Sequence, residues 1–230
     1  MIKILIDNLD TFQLHRIAKF LYKYKFDTVI DVGSYKGEFI KYSLKYLNPK
    51  KIYAFEPQKE INDLLKKKFK NDKIKISNFA IGRNNKKNFL YVNKFKKTST
   101  LSKETIFSNS IYNKLKNLLL RSESYQYKYP VKTISLDSFF SNKKTIKSLL
   151  KIDVEGYEIN VLLGSKKVLQ KINMVLIEKQ NFKNNNFVKC HNYLLKNNFV
   201  LLKTFIFPLM HFEDRLYVKK HLMYNNFNDE

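Results

Sequence analysis

Hydrophobic residues recur along this chain with two spacings, and the order in which the spacings alternate predicts an architecture. From Asp10 to Lys25, the residues Phe12, Leu14, Ile17, Phe20 and Leu21 fall at near-helical intervals, with Asp10 or Thr11 available as a cap. Asp27-Thr28-Val29-Ile30-Asp31-Val32 is a short β-branched run ending at a glycine, which predicts a buried parallel strand. A helix follows from about Glu38 to Leu47 and stops near Asn48-Pro49. Lys51 to Phe55 predicts a second strand, Gln58 to Phe69 a second helix, and Lys73 to Phe79 a third strand. This β-α-β-α-β order implies parallel strands joined by right-handed crossovers.

The middle of the chain is less regular. Asn88 to Val92 predicts an extra strand, Lys94 to Ser110 is polar and reads as a loop, and Ile111 to Leu120 has helical spacing. Order returns with Val131 to Ile134 and Leu136 to Phe140, then with a strand at Ser148 to Ile152. A helix near Glu158 to Leu169, a strand at Met174 to Ile177 and a helix at about Phe187 to Lys196 come next. Two strands, near Phe199 to Thr204 and Arg215 to Lys219, end the pattern. The expected fold is therefore α/β and Rossmann-like, with about seven mostly parallel strands and helices on both faces. It would occupy residues 27–230, carry an irregular insertion at about 94–129, and hold an N-terminal helical segment, residues 1–26, against its core.

Composition changes this picture little. A hydrophobic fraction of 44% supports one sizeable core, and five glycines with four prolines leave little room for flexible linkers. The single cysteine, Cys190, excludes an intramolecular disulfide, so a reducing cytoplasm is the expected location. No run of about 18 apolar residues exists to span a membrane. The net charge of +24 admits nucleic acid or another polyanion as partner. Yet only Arg16, Arg83, Arg121 and Arg215 are arginines, and base reading and bidentate phosphate binding favour arginine. A lysine-rich solvated surface, the product of biased base composition, accounts for the charge without a nucleic-acid partner.

Candidate chemistry lies at three strand ends, where an open α/β sheet binds its ligands. Asp31-Val32-Gly33-Ser34-Tyr35-Lys36-Gly37 is a glycine-containing turn but neither G-x-G-x-x-G nor a Walker A loop. An acid at Asp31 would repel a pyrophosphate and suit an amine or sulfonium cation. Glu56-Pro57 ends the second strand, where a carboxylate can accept both hydroxyls of a ribose or, more blandly, begin a helix. Lys151-Ile152-Asp153-Val154-Glu155-Gly156 sets two carboxylates just past a buried strand. That arrangement is costly unless they are paired or used as a base, as metal ligands or as an amine anchor. Lys151 can neutralise one of them, and Glu178 closes the next strand facing the same cleft.

These segments, in this order, resemble the FkbM family of S-adenosylmethionine-dependent methyltransferases. The resemblance is carried by DVGSYKGEF (Asp31 to Phe39), AFEP (Ala54 to Pro57), NFAIG (Asn78 to Gly82), STL (Ser99 to Leu101), TISLD (Thr133 to Asp137), KIDVEGYE (Lys151 to Glu158) and LIE (Leu176 to Glu178). It implies S-adenosylmethionine as cofactor and an O-methyltransferase acting on hydroxyls of sugars, glycans or related natural products. The implied cofactor contacts are Asp31, Gly33, Ser34, Tyr35, Gly37, Glu56, Pro57, Asn78, Ala80 and Asp153; Asp153, Glu155 and Glu178 would surround the reacting centre. Asp153 and Glu155 would be the ligands of a divalent metal, should one take part. Where the family often carries a histidine after the acid matching Glu178, this chain reads Lys179-Gln180-Asn181.

An alcohol must lose its proton as it is methylated, so Asp153 is the expected base and Glu155 the residue that orients the acceptor or a cation. Acceptor specificity would reside in Lys94 to Tyr129. Methylation of a nucleobase nitrogen is disfavoured, because no Pro-Pro-aromatic motif follows the strand that ends at Ile152. The alternative readings are ribose 2′-O-methylation of RNA and a non-catalytic cofactor- or glycan-binding relic of the fold.

Overall fold

The computed structural model describes residues 2–94, 96–106, 125–142, 147–180, 186–207 and 212–225. Its main sheet is built from β1 (Thr28–Val32), β2 (Lys51–Phe55), β3 (Ile74–Ser77), β7 (Ser148–Ile152), β8 (Ile172–Gln180), β9 (Phe199–Ile206) and β10 (Phe212–Lys219). These seven strands lie in the order β3-β2-β1-β7-β8-β10-β9. All neighbours pair in parallel except β10, which runs antiparallel to both β8 and β9. The seven-stranded, mostly parallel Rossmann-like sheet expected from the pattern is what the chain forms. The winding reverses between β1 and β7, so the crevice beyond their carboxyl ends is the place where this topology binds a ligand.

Period two along the strands decides which side chain serves which layer. Val29, Leu149, Leu176 and Leu216 pack on one face with Ile17 and Leu21 of helix α1 (Ile2–Leu21) and with Phe39 and Ile40 of helix α2 (Glu38–Tyr42). Ile30, Leu150, Val175 and Tyr217 pack on the other, against Val161 and Leu162 of the helix Glu158–Leu163 and Leu194 of the helix Asn186–Lys196. The same alternation turns Asp31, Lys151, Glu178 and Asp214 toward the face that carries α1. Both β1 and β7 are buried along their whole length, as their continuous apolar runs require.

Several boundaries differ from the pattern. α1 starts at Ile2 rather than at Asp10, because the helix runs straight through the residue that offered a cap. The helix after β1 holds α-geometry only to Tyr42 and widens into a π turn over Ser43–Leu47 before Asn48 reverses the chain with φ 40°. Past Leu163 the expected helix breaks at Gly164 and resumes as a 3₁₀ turn, Val168–Lys171. A second sheet is only half legible in the pattern: β4 (Ala80–Ile81), β5 (Lys86–Asn93) and β6 (Tyr125–Ile134) pair in the order β4-β6-β5. Strand β6 begins inside the stretch that reads as irregular. Within that stretch Lys96–Thr98 is a 3₁₀ turn and Lys103–Ile106 a short helix. The helix expected at Ile111 to Leu120 lies outside the described residues.

Candidate active site

The site is built on one backbone contact. Gly33 follows β1 with φ +86°, and a Cβ there would stand 1.8 Å from the carbonyl oxygen of Asp153. Only glycine lets the two strand ends come this close. Gly33 and Ser34 both donate from their amides to the Phe55 carbonyl at 3.1 Å, and the Asp153 amide donates to the Val32 carbonyl at 3.0 Å. The ends of β1, β2 and β7 are thereby fixed to one another. Two clefts open on either side of this junction, and both are lined by Gly33, Tyr35, Lys97 and Asp153.

The first cleft, about 590 Å³ including its open mouth, runs from Asp153 past Val32 and Glu56 to Pro57, Ala80 and Leu90. Glu56, 3% exposed, accepts the Tyr35 amide on Oε2 at 2.9 Å and the Gln58 amide on Oε1 at 2.8 Å. Each carboxylate oxygen keeps a second lone pair, which suits a diol such as a ribose. Burial pushes the Glu56 carboxyl up to about 7, against the pull of those backbone hydrogen bonds. Apolar residues of the small sheet, Leu90 and Ala80, and the following Leu101 close the far wall.

The second cleft, about 500 Å³, is lined by Glu38, Asp153, Glu178 and Asp214 together with Lys97, Lys151 and Gln13. The Lys151 Nζ lies 2.9 Å from Asp153 Oδ2 and 3.7 Å from Asp31 Oδ1. Burial alone would pull this ammonium down, but Asp153 and Asp31 hold it above the usual lysine range. Burial would likewise raise the Asp153 carboxyl, yet Lys151, and Lys97 after it, keep it below the ordinary aspartate range. Glu178 moves the other way: burial first, then the Asp153 charge, raise it well above the usual value. Glu155, with φ +54° before Gly156 at φ +94°, is turned back over the end of β7 by two successive left-handed residues. As a result Asp153, Glu155 and Glu178 each bring a ligand oxygen within 4.8 Å of the others, an all-oxygen donor set of the kind hard divalent cations take.

The residues named from sequence distribute as follows. Gly33, Tyr35 and Asp153 line both clefts, Glu56, Pro57 and Ala80 the first alone, Ser34 and Glu178 the second alone, and Glu155 neither. Asp31 reaches neither: its carboxyl is fully buried, raised by desolvation, and lies beside Lys151. Gly37 is required by packing, since a Cβ would stand 2.3 Å from the Phe69 ring. The Asn78 side-chain amide donates to the carbonyls of Glu56 and Pro57 at 3.1 Å and so secures the turn that presents Glu56. The motifs do not single out Gln13, Glu38, Lys97 or Asp214. Of these, Glu38 falls within DVGSYKGEF, and Asp214 stands one residue before the strand expected at Arg215 to Lys219.

Buried acids give the unliganded protein a pH dependence. Glu56 and Glu158 are each pushed up to about 7 by burial, from an ordinary value near 4.5. A folded state that binds protons more tightly than the unfolded one gains stability below the unfolded value and loses it as pH rises through the folded one. The melting temperature is therefore expected to fall between pH 5 and pH 8, with up to about 3 kcal/mol at stake per glutamate. Calorimetric melts of wild type and Glu158→Gln check this, and the variant should show a shallower fall. A melting temperature that rises over this range would contradict the assignment.

Solved structures of other proteins share the fold. A protein of the NADB-Rossmann superfamily from Streptococcus agalactiae superposes with a TM-score of 0.52 at 12% identity, covering 90% of this chain and 67% of that one. A candidate rRNA methylase from Clostridium thermocellum gives 0.50 at 9% identity, covering 90% and 95%. At such identities the likeness concerns the fold. Comparison with curated protein sequences found no match. The model of the methyltransferase FkbM domain matches residues 31–201, well over half of the chain, from the β1 turn through both clefts' central acids to β9. The chain therefore belongs to the FkbM methyltransferase family and is an S-adenosylmethionine-dependent methyltransferase.

Proposed function

We propose that this protein methylates a hydroxyl of a sugar, glycan or related natural product, with Asp153 as the base. One observation carries the reading: among the described residues, Asp153 is the one carboxylate common to both clefts. The cofactor supplies an already activated methyl group, so the protein's task is positioning and removal of one proton. Glu56 and the Gly33 turn would hold the nucleoside end in the first cleft, and the acceptor would enter the second. Lys151 keeps Asp153 ionised at neutral pH, ready to take the hydroxyl proton as the new bond forms. Glu155 and Glu178 would orient the acceptor, or hold a divalent cation that acidifies it.

Calorimetric titration with S-adenosylmethionine and S-adenosylhomocysteine tests the cofactor half. Wild type should bind in the micromolar range, and Glu56→Ala should weaken binding at least tenfold, since the ribose contact and the Tyr35 amide anchor go together. Transfer of a labelled methyl group to a panel of glycosides, before and after dialysis against EDTA, tests the rest. Turnover that survives EDTA leaves the proton to Asp153 alone, whereas loss restored by Mg²⁺ adds a cation at the three carboxylates. A second reading, ribose 2′-O-methylation of RNA, is favoured by the net charge of +24 and would show as RNA binding that falls steeply with salt.

A further inference from the structure

The second cleft has a wall that the family resemblance does not cover. Asp214 and Gln13 both line it, yet both lie outside residues 31–201. Asp214 sits on β10 directly across from Glu178 on β8. Its Oδ2 accepts the Gln13 side-chain amide at 3.1 Å, and that amide also donates to the Phe205 carbonyl at 2.8 Å. The orientation of Gln13 is fixed in turn, because Arg16 Nη1 donates to its Oε1 at 3.1 Å and reaches the Ile206 carbonyl at 3.3 Å. Helix α1 thus reaches across the end of the sheet and sets the direction of one buried carboxylate. Gln13 is the one hydrogen-bond donor that the described residues give to Asp214. A buried carboxylate with a single donor retains capacity for donors on a ligand.

The charge around it is as informative. The cleft brings Glu38, Asp153, Glu178 and Asp214 against Lys97 and Lys151, and Lys151 is already shared with Asp31. A protein carrying +24 overall thus presents acids in excess of bases where its acceptor would lie. A phosphate or carboxylate entering here would meet the Asp153 charge and would oppose ionisation of Asp214, whose carboxyl burial already pushes up to about 7, whereas hydroxyls and ammoniums would find acceptors.

We propose that Asp214, held by Gln13, binds the acceptor through its hydroxyl or ammonium donors, and that this wall selects an uncharged or amino-bearing polyol against phosphorylated or carboxylated ones. The assignment rests on the reading of the second cleft as the acceptor site of an O-methyltransferase. Asp214 touches the acceptor, and Gln13 is a positioning residue acting through it. Specificity thus lies partly in α1 and β10, beyond the insertion at 94–129.

Saturation-transfer NMR on protein saturated with S-adenosylhomocysteine tests this, using methyl α-glucoside, glucosamine, glucose 6-phosphate and glucuronate as probes. The first two should bind at least tenfold more tightly than the two anions. Asp214→Asn should reduce that discrimination to about threefold or less, and Gln13→Leu should reduce it partly, while affinity for S-adenosylhomocysteine stays unchanged in both. A packing role would not move the ratio between neutral and anionic probes. Preference for the anions, or discrimination untouched in both variants, overturns this proposal and leaves sugar O-methylation standing. If no sugar of any charge binds protein that does bind S-adenosylhomocysteine, the sugar reading falls together with it. Should Asp214→Asn fail to fold, the discrimination ratio of Gln13→Leu decides alone.

Discussion

Replacing Asp153 with asparagine is expected to lower turnover by about three orders of magnitude while leaving affinity for S-adenosylmethionine within a few-fold of wild type. General-base catalysis contributes roughly 10²–10⁴-fold where a positioned group takes a proton in the transition state. The substituted amide would keep the shape of the side chain and the backbone contact with Gly33, but it cannot accept that proton. The Lys151 ammonium would lose its charged partner at 2.9 Å and keep Asp31 at 3.7 Å, so the strand ends should hold together. Binding by calorimetry and single-turnover transfer of a labelled methyl group, on the acceptor that the glycoside screen yields, separate the two effects. Turnover within threefold of wild type would remove Asp153 from the chemistry. Turnover and cofactor affinity lost in parallel would instead make it an anchor for the cofactor.

The largest stability effect is expected at Lys151. Its ammonium is buried between two carboxyls, and its Nζ also lies over the Phe39 ring, 5.6 Å from the centroid. Methionine preserves most of that packing and removes the charge, which leaves Asp31 fully buried without its cation. Breaking a buried pair from one side costs about 3–5 kcal/mol, because the remaining charge is uncompensated. For a domain of this size that corresponds to a melting temperature lower by roughly 10 °C. A second substitution makes the cause visible: Asp31→Asn in the Lys151→Met background should recover about half of the loss, since a neutral amide is cheaper to bury than a carboxylate. A double variant no more stable than Lys151→Met would mean that the lysine acts through packing instead.

Much of this protein is decided by residues close together in sequence, and those parts can be read from the chain. Thr28–Val32, rich in β-branched residues, and Ser148–Ile152 are mostly apolar on both faces, so they read as buried strands, while the pairing of Asp31 with Lys151 comes only from the structure. Gly33 announces a turn after β1, and Glu56 and Asp153 stand at strand ends, where the topology puts ligands. What could not be read depends on pairing across long separations. Nothing in the neighbourhood of Asp214 says that β10 would insert beside β8 and set it opposite Glu178, because strand order is fixed by packing of the whole sheet. Nothing near Gln13 says that its amide would meet a residue about two hundred positions away. Strand β6 shows the middle case: Tyr125, Tyr127, Tyr129, Val131 and Thr133 alternate with Gln126, Lys128, Pro130 and Lys132, but only pairing with β5 and β4 makes that period a sheet.

The same division explains the roles of the acids. Sequence alone determined that Asp31, Glu56, Asp153, Glu155 and Glu178 lie along one edge, since each ends or follows a strand of known direction. Only the tertiary structure decided which of them face a cleft. Asp31 is withdrawn beneath Lys151, Glu56 opens to one cleft, Glu178 to the other, and Asp153 to both. The physical reason is that burial and charge partners belong to the folded neighbourhood. A carboxylate's placement in the chain fixes its strand, while its solvation and its nearest ammonium are set by strands, helices and turns that arrive from elsewhere.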